Sequence, residues 1–221
     1  MIFPKLRKEK EILLKRGGLV AGCDEVGMGP VAGPVVAAAC ILDFETIGER
    51  RSKEKWYYRV RDSKTTSEGE RVDLERRIKE NCLAFGVGAV EPGEIDLINI
   101  HQAGLLAMRK AVEAMLVKLE CETDLVHIIL DGRFLIPNFD RYSKFDVSQE
   151  AIIGGDARVL SISAASIIAK VYRDGIMKQI HEQMPDYGFA SHKGYNTKAH
   201  REAIARYGIS PVHRRSFLHI V

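Results

Sequence analysis

The sequence lacks any long hydrophobic run: its longest apolar stretch, 31–42, is 12 residues and contains Gly33 and Pro34. A membrane-spanning helix needs about 17–25 residues, so that reading is excluded. Cysteine is sparse and scattered. Cys23, Cys40, Cys82 and Cys121 form no C-x-x-C pair, which excludes a zinc-finger arrangement and gives no disulfide framework. No P-loop or dinucleotide fingerprint occurs, so ATP and NAD roles have no support. No fixed-period repeat or low-complexity tract is present. The N-terminus, MIFPKLRKEKEILLKRGG, is too charged for a signal-peptide core. The expectation is a reduced, cytoplasmic protein.

What is present suits a folded enzyme-sized domain. The chain has 221 residues, 46% of them hydrophobic, enough to bury a core without disulfides or a structural metal. Its net charge of +3 hides an uneven distribution. Residues 1–18 carry six Lys/Arg against two acids, and residues 50–64 carry seven against two. Residues 192–221 carry six Lys/Arg, one Glu and four histidines. Basic stretches around a neutral middle point to a polyanionic partner, with solvated surfaces as the plain alternative.

The pattern predicts a helix over 2–16, stopped by Gly17-Gly18. Buried strands follow at 19–24 and 34–42, joined by a short turn-rich loop that makes them antiparallel neighbours. A helix over 67–81 has Ser67 as N-cap. A third strand, 82–90, holds glycines that permit close backbone approach. One helix is predicted over 94–119, then a strand at 125–130 and a short strand near 151–153. Helices are predicted over 158–183 and 197–207. Together these describe a mixed α/β domain.

Several acids sit where packing gives them no role. Asp24 and Glu25 follow the apolar run LVAGC, and Asp131 follows VHIIL, at the C-terminal ends of buried strands where α/β sheets place ligands. Asp156 follows Gly154-Gly155 at the mouth of a long helix. Any one of them also suits a turn cap. Carboxylates that converge repel unless cations neutralise them, and oxygen-only ligands suit Mg²⁺ or Mn²⁺. A pair of such ions can activate water and stabilise a leaving oxygen in phosphodiester cleavage. Spacing alone leaves their convergence open. Directly after Asp24-Glu25 comes V-G-M-G-P, in which Gly27 and Gly29 flank Met28 and allow backbone N–H groups close to a ribose or phosphate.

These segments together resemble bacterial type 2 ribonuclease H, the ribonuclease HII family. The resemblance rests on GCDEVGMGPVAGPVVAAA, DSK at 62–64, ILDGR at 129–133, GGDARVLSISAASIIAKVYRD at 154–174, SHKGYNTKAH and HRRSF, in that order. It implies an α/β fold: a ribonuclease-H-like mixed sheet flanked by helices, with a helical C-terminal extension. Its division here would be an N-terminal helical segment 1–18, a catalytic core 19–184 and an extension 185–221 packed on the core.

The resemblance further implies an endoribonuclease that cuts the RNA strand of RNA–DNA hybrids and ribonucleotides embedded in duplex DNA. Two divalent cations, Mg²⁺ or Mn²⁺, would serve it, leaving 3′-hydroxyl and 5′-phosphate ends. The ligands fall on Asp24, Glu25, Asp131 and Asp156, with Asp24 bridging both ions. Gly27, Met28 and Gly29 fall on the loop that contacts the ribose, and Tyr195 on the tyrosine that packs on that ribose and senses its 2′-hydroxyl. Met28 departs from the family pattern, which has arginine there; the expectation is retained ribose recognition with weaker duplex binding. Lys64 and Lys193 are candidate phosphate contacts, as are Arg214 and Arg215.

Asp174 competes with Asp156 as fourth ligand, though within its helix it reads as a paired or solvated acid, and the resemblance favours Asp156. His192, His200, His213 and His219 match no compact zinc motif and read as packing or hydrogen-bonding residues. Ser161, Ser163 and Ser166 read as small packing residues. Two rivals remain: a type 3 ribonuclease H, disfavoured because only 23 residues precede Asp24, and a non-catalytic RNA- or hybrid-binding module.

Overall fold

A computed structural model describes residues 4–47, 56–60 and 66–218. The first helix, α1 (Arg7–Arg16), starts later than its apolar spacing predicts and stops at Gly17, whose φ of 69° lies in the left-handed region. Strands β1 (Leu19–Val26) and β2 (Val35–Leu42) are antiparallel neighbours, as their short connection predicts. β1 runs two residues beyond its predicted end, so Asp24 and Glu25 sit inside the strand, opposite Ala38 and Ala37. A short helix, α2 (Phe44–Ile47), follows. Helix α3 (Glu68–Glu80) is capped by Ser67, whose side chain accepts from the Glu70 amide at 3.3 Å.

β3 (Cys82–Val90) pairs antiparallel with β2. The single helix predicted over 94–119 is two: α4 (Pro92–Ile98) and α5 (Ile100–Val117). Asn99 divides them. Its φ of 68° breaks the helical path, and its side chain accepts from the His101 and Gln102 amides at 3.0 and 3.1 Å, starting α5.

β4 (Leu125–Asp131) runs parallel to β1, with Cys23 opposite Leu130. β5 (Arg141–Tyr142) and β6 (Phe145–Ile152) complete a six-stranded sheet of order β3-β2-β1-β4-β6-β5. β6 begins well before the predicted 151–153. Its polar residues read as loop, yet Gln149 there donates to the Ile136 and Phe139 carbonyls at 3.1 and 2.8 Å. Helix α6 (Leu160–Gln183) follows a short 3-10 turn at Gly155–Ala157. The short α7 (Phe189–His192) and α8 (Lys198–Tyr207) come next, α8 capped by Thr197.

The sheet is buried on both faces. Ala37, Ala39 and Cys23 pack with Ala107, Met108 and Met115 of α5, while Val36, Ala38 and Cys40 pack with Leu74 of α3 and Ala165 of α6. Close approach is built into the strands. A Cβ at Gly88 would collide with the α5 backbone at Ala107, and one at Gly22 with the α6 backbone at Ser161. The α6 N-terminus is also held from α1. Glu9, fully buried, accepts from the Ser161 amide at 2.9 Å and its hydroxyl at 3.0 Å. Ser161 is therefore a hydrogen-bonding residue as well as a small packing one. Among the described residues, no helix is long and apolar enough to cross a membrane.

Candidate active site

Parallel pairing of β1 with β4 decides where the acids meet. One step beyond the Cys23–Leu130 pair, the strands carry Asp24 and Asp131 side by side. The 3-10 turn before α6 brings Asp156, and the Gly155 amide donates to Asp131 Oδ1 at 2.6 Å, tying turn to strand. Asp24, Glu25, Asp131 and Asp156 all line one cavity of about 520 Å³. Gly27, Met28, Gly29 and Tyr195 line it too. A Cβ on Gly29 would lie 4.0 Å from the Tyr195 ring, so the G-M-G turn and the tyrosine form one wall. Tyr195 is 45% exposed, its ring open to a partner.

Asp24 shows the electrostatic character of the cavity. Its carboxyl is pushed well above the usual carboxylate range, first by burial, then by the charges of Glu25, Asp131 and Asp156, and against a hydrogen bond from Ser166. Ser166, read as packing only, thus takes part in the site. The donor set is all carboxylate oxygen, which fits a hard divalent cation: such an ion would remove the repulsion that burial magnifies. Among the described residues, no three acid, histidine or cysteine side chains yet close on one point as ligands do. The cavity gathers the acids and leaves them apart.

Two basic residues on the wall carried no spacing signal, Arg71 of α3 and Lys170 of α6. Both bind Asp174: Lys170 Nζ lies 2.7 Å from Oδ1 and Arg71 Nη2 lies 3.6 Å from Oδ2. Asp174 is therefore a charge partner for cavity cations, outside the acid cluster.

Other candidates fall elsewhere. Lys64 and His219 lie outside the described residues. Lys193 does not line the cavity, and its ammonium folds back to the Ala190 carbonyl at 2.6 Å. Arg214, expected at a phosphate, is fully buried and donates to backbone carbonyls of the loop after β1. Arg215 donates its amide to Asp96 at 2.9 Å. Met28 does not reach outward either: its sulfur lies against Gly104 of α5, where a Cβ would come within 3.1 Å.

His200 and His213 form a buried nest, in keeping with the packing and hydrogen-bonding roles expected of them. His213 Nδ1 accepts from the Ser210 amide at 3.0 Å, so its Nε2 carries the proton and donates to His200 Nε2 at 3.1 Å. His200 Nδ1 then donates to the Tyr195 carbonyl at 2.9 Å. Each ring is neutral in this arrangement.

The family model described as Ribonuclease HII matches residues 21–220, a span that includes every acid of the cavity. The chain belongs to the ribonuclease HII family. Membership makes it a ribonuclease of the H class, a phosphodiester hydrolase from a family typically dependent on divalent metal. The ribonuclease HII of Desulfitobacterium hafniense (strain DSM 10664 / DCB-2) is 43% identical over 214 residues, covering 96% of this chain and 73% of that one. The ribonuclease HII of Archaeoglobus fulgidus, solved in complex with PCNA, is 25% identical with a TM-score of 0.67, covering 92% of this chain and 97% of that one. Bst-RNase HIII solved with Mn²⁺ has the same fold at 20% identity and a TM-score of 0.65, covering 90% of this chain and 67% of that one. The ribonuclease HII match separates this chain from the type 3 alternative, which fold alone does not.

Proposed function

We propose that this protein hydrolyses the RNA strand of RNA–DNA hybrids and cuts at ribonucleotides embedded in duplex DNA, leaving 3′-hydroxyl and 5′-phosphate ends. The observation that carries this reading is that one cavity is lined both by four carboxylates and by the G-M-G turn with Tyr195. Asp24, Glu25, Asp131 and Asp156 would hold two divalent cations, Mg²⁺ or Mn²⁺. When bound, the cations would supply an activated water and charge stabilisation at the phosphate.

The chain's own residues do the rest. Tyr195 offers a ring face to the ribose, and its backbone is held by His200. Gly27 and Gly29 keep the turn free of side chains where the sugar must approach. Arg71 and Lys170 put positive charge at the cavity wall, suited to the flanking phosphates. Within this proposal the core is 19–184, and 185–221 is an extension that supplies Tyr195. The reading keeps the protein in the cytoplasm, in accord with four cysteines that are all free thiols.

The test is incubation, with Mg²⁺ or Mn²⁺, of a duplex holding one ribonucleotide in DNA, an all-RNA/DNA hybrid and an all-DNA control. Metal-dependent cleavage of the first two by wild type, lost in Asp24→Asn, is the expected result. Binding without cleavage would make it a hybrid-binding module instead.

A further inference from the structure

Two arginines stand close to the cavity without lining it. Arg173 of α6 and Arg214 near the C-terminus are both fully buried, and among the described residues neither forms an ion pair. Burying a guanidinium is costly unless its donors are satisfied. Here they are satisfied by backbone carbonyls, all but one in the loop after β1. Arg214 donates from Nη2 to Gly27 at 2.7 Å, from Nη1 to Met28 at 3.3 Å and from Nε to Gly33 at 2.9 Å. Arg173 donates from Nε to Pro34 at 3.0 Å and from Nη2 to Ala32 at 3.1 Å. Its remaining arm, Nη1, crosses to the Lys193 carbonyl at 3.1 Å, two residues before Tyr195.

These contacts set the loop's orientation. In a trans peptide the C=O and N–H point in opposite directions. With the Gly27 and Met28 carbonyls turned inward to Arg214, the amides of Met28 and Gly29 turn outward, to the cavity that both residues line. Two adjacent amides aimed one way make a concave donor site. The fit is tight: Gly27 has φ 97°, and a Cβ there would collide with Arg173 Nε. The rest of the frame is backbone. Val31 donates to Gly194 at 2.9 Å, and Arg214 donates its amide to Val31 at 2.8 Å.

We infer that Arg173 and Arg214 are positioning residues for ribose discrimination: their two planar forks hold the G-M-G amides and the Tyr195 turn in one rigid frame, so that a 2′-hydroxyl meets both at once. Charge contributes as well as shape. Burial, and then the neighbouring Arg173, push the Arg214 guanidinium down to about 9, so a cation is retained at a cost. It stands behind a loop facing a polyanion. A lysine would keep the charge but has no planar fork to fix three carbonyls together.

This inference rests on the proposed function, and the experiment separates the two. Wild type, Arg173→Lys and Arg214→Lys are compared in Mn²⁺ on a duplex with one ribonucleotide, with affinity for an all-DNA duplex and thermal unfolding measured alongside. Folded variants should lose kcat by about 100-fold, the scale of a misplaced reacting group, while KM and all-DNA affinity stay within about threefold. Arg214→Met and Arg173→Met should lose more in the same direction. Absence of cleavage by wild type overturns the proposed function itself. If wild type cuts and a folded lysine variant matches it, or if kcat and all-DNA affinity fall together, the positioning role is overturned. Failure of both lysine variants to fold shows that the pair serves the core, which also overturns it.

Discussion

Asp24 is 5% exposed and faces three other carboxylates; His200, fully buried, faces a second histidine. Both clusters place like groups together inside the protein, and they resolve the conflict differently. The histidine nest is self-sufficient. A single chain of donors runs from Ser210 through His213 and His200 to the Tyr195 carbonyl, and neutral rings satisfy it. Burial pushes His200 down to about 4, which keeps it neutral. The carboxylate cavity has no such internal solution. Burial and mutual repulsion oppose its ionised state, and in the proposed function a cation from outside relieves them. The first cluster closes on itself and supports; the second, in the proposed function, stays open to bind.

The strongest test of that contrast removes one acid. Asp131→Asn should lower cleavage at least about 100-fold, a loss that even outer partners of metal ligands can cause, while hybrid affinity stays largely intact. Cleavage within tenfold of wild type would remove Asp131 from the ligand set.

Tyr195 joins the two clusters, its ring in the cavity and its carbonyl in the nest. Tyr195→Ala should cost about 1–3 kcal/mol of transition-state stabilisation at an embedded ribonucleotide, the scale of a stacking contact. Affinity for all-DNA duplex should move much less. Proportional losses in both would make it a folding residue.

Acid should act on the clusters in opposite directions. The depressed His200 pKa means that its share of stability is full above pH 6.5 and is lost as pH falls towards 4. Asp24 has a raised pKa, so its share of apo stability is lost as pH rises and regained in acid. Asp24→Asn should therefore raise the apo Tm at neutral pH, by about 2–4 °C for each kcal/mol of relieved repulsion. His200→Gln should flatten the acid limb between pH 6.5 and 4. Unfolding curves from pH 4 to 8 without metal check both, and equal slopes in all three proteins would erase the contrast.

The smallest effect belongs to Met28. Because its side chain lies on α5, Met28→Arg must leave that packing to reach a phosphate. If it does, duplex binding tightens and the salt slope steepens by about one unit. An unchanged slope would show that the position never faces the backbone.

Local patterning revealed much of the frame. The β1–β2 hairpin, the Ser67 cap and the glycines of β3 followed from residue type and spacing, because none needs a partner far along the chain. The division of 94–119 was also local, carried by Asn99, but helical periodicity on both sides masked it. Clustering of the acids needed the parallel register of β1 with β4, which no spacing encodes. The arginine pair was hidden for a stronger reason. Arg214 stands in a basic, histidine-rich tail that reads as surface, yet its Gly27 partner is 187 residues away. Arg173 meets Pro34 across 139 residues. Only the closed fold turns such arginines inward.

Glu9 has a consequence for the order in which the chain is made. Its carboxylate caps α6 across 152 residues, so during synthesis α1 emerges long before the amide it will bind. Domains form as units while the chain grows from its N-terminus. Until Ser161 arrives, Glu9 stays in water, where an ionised carboxylate costs nothing. Burial then raises its pKa, and the hydrogen bonds from Ser161 oppose that rise. A helix made early thus waits for one made late.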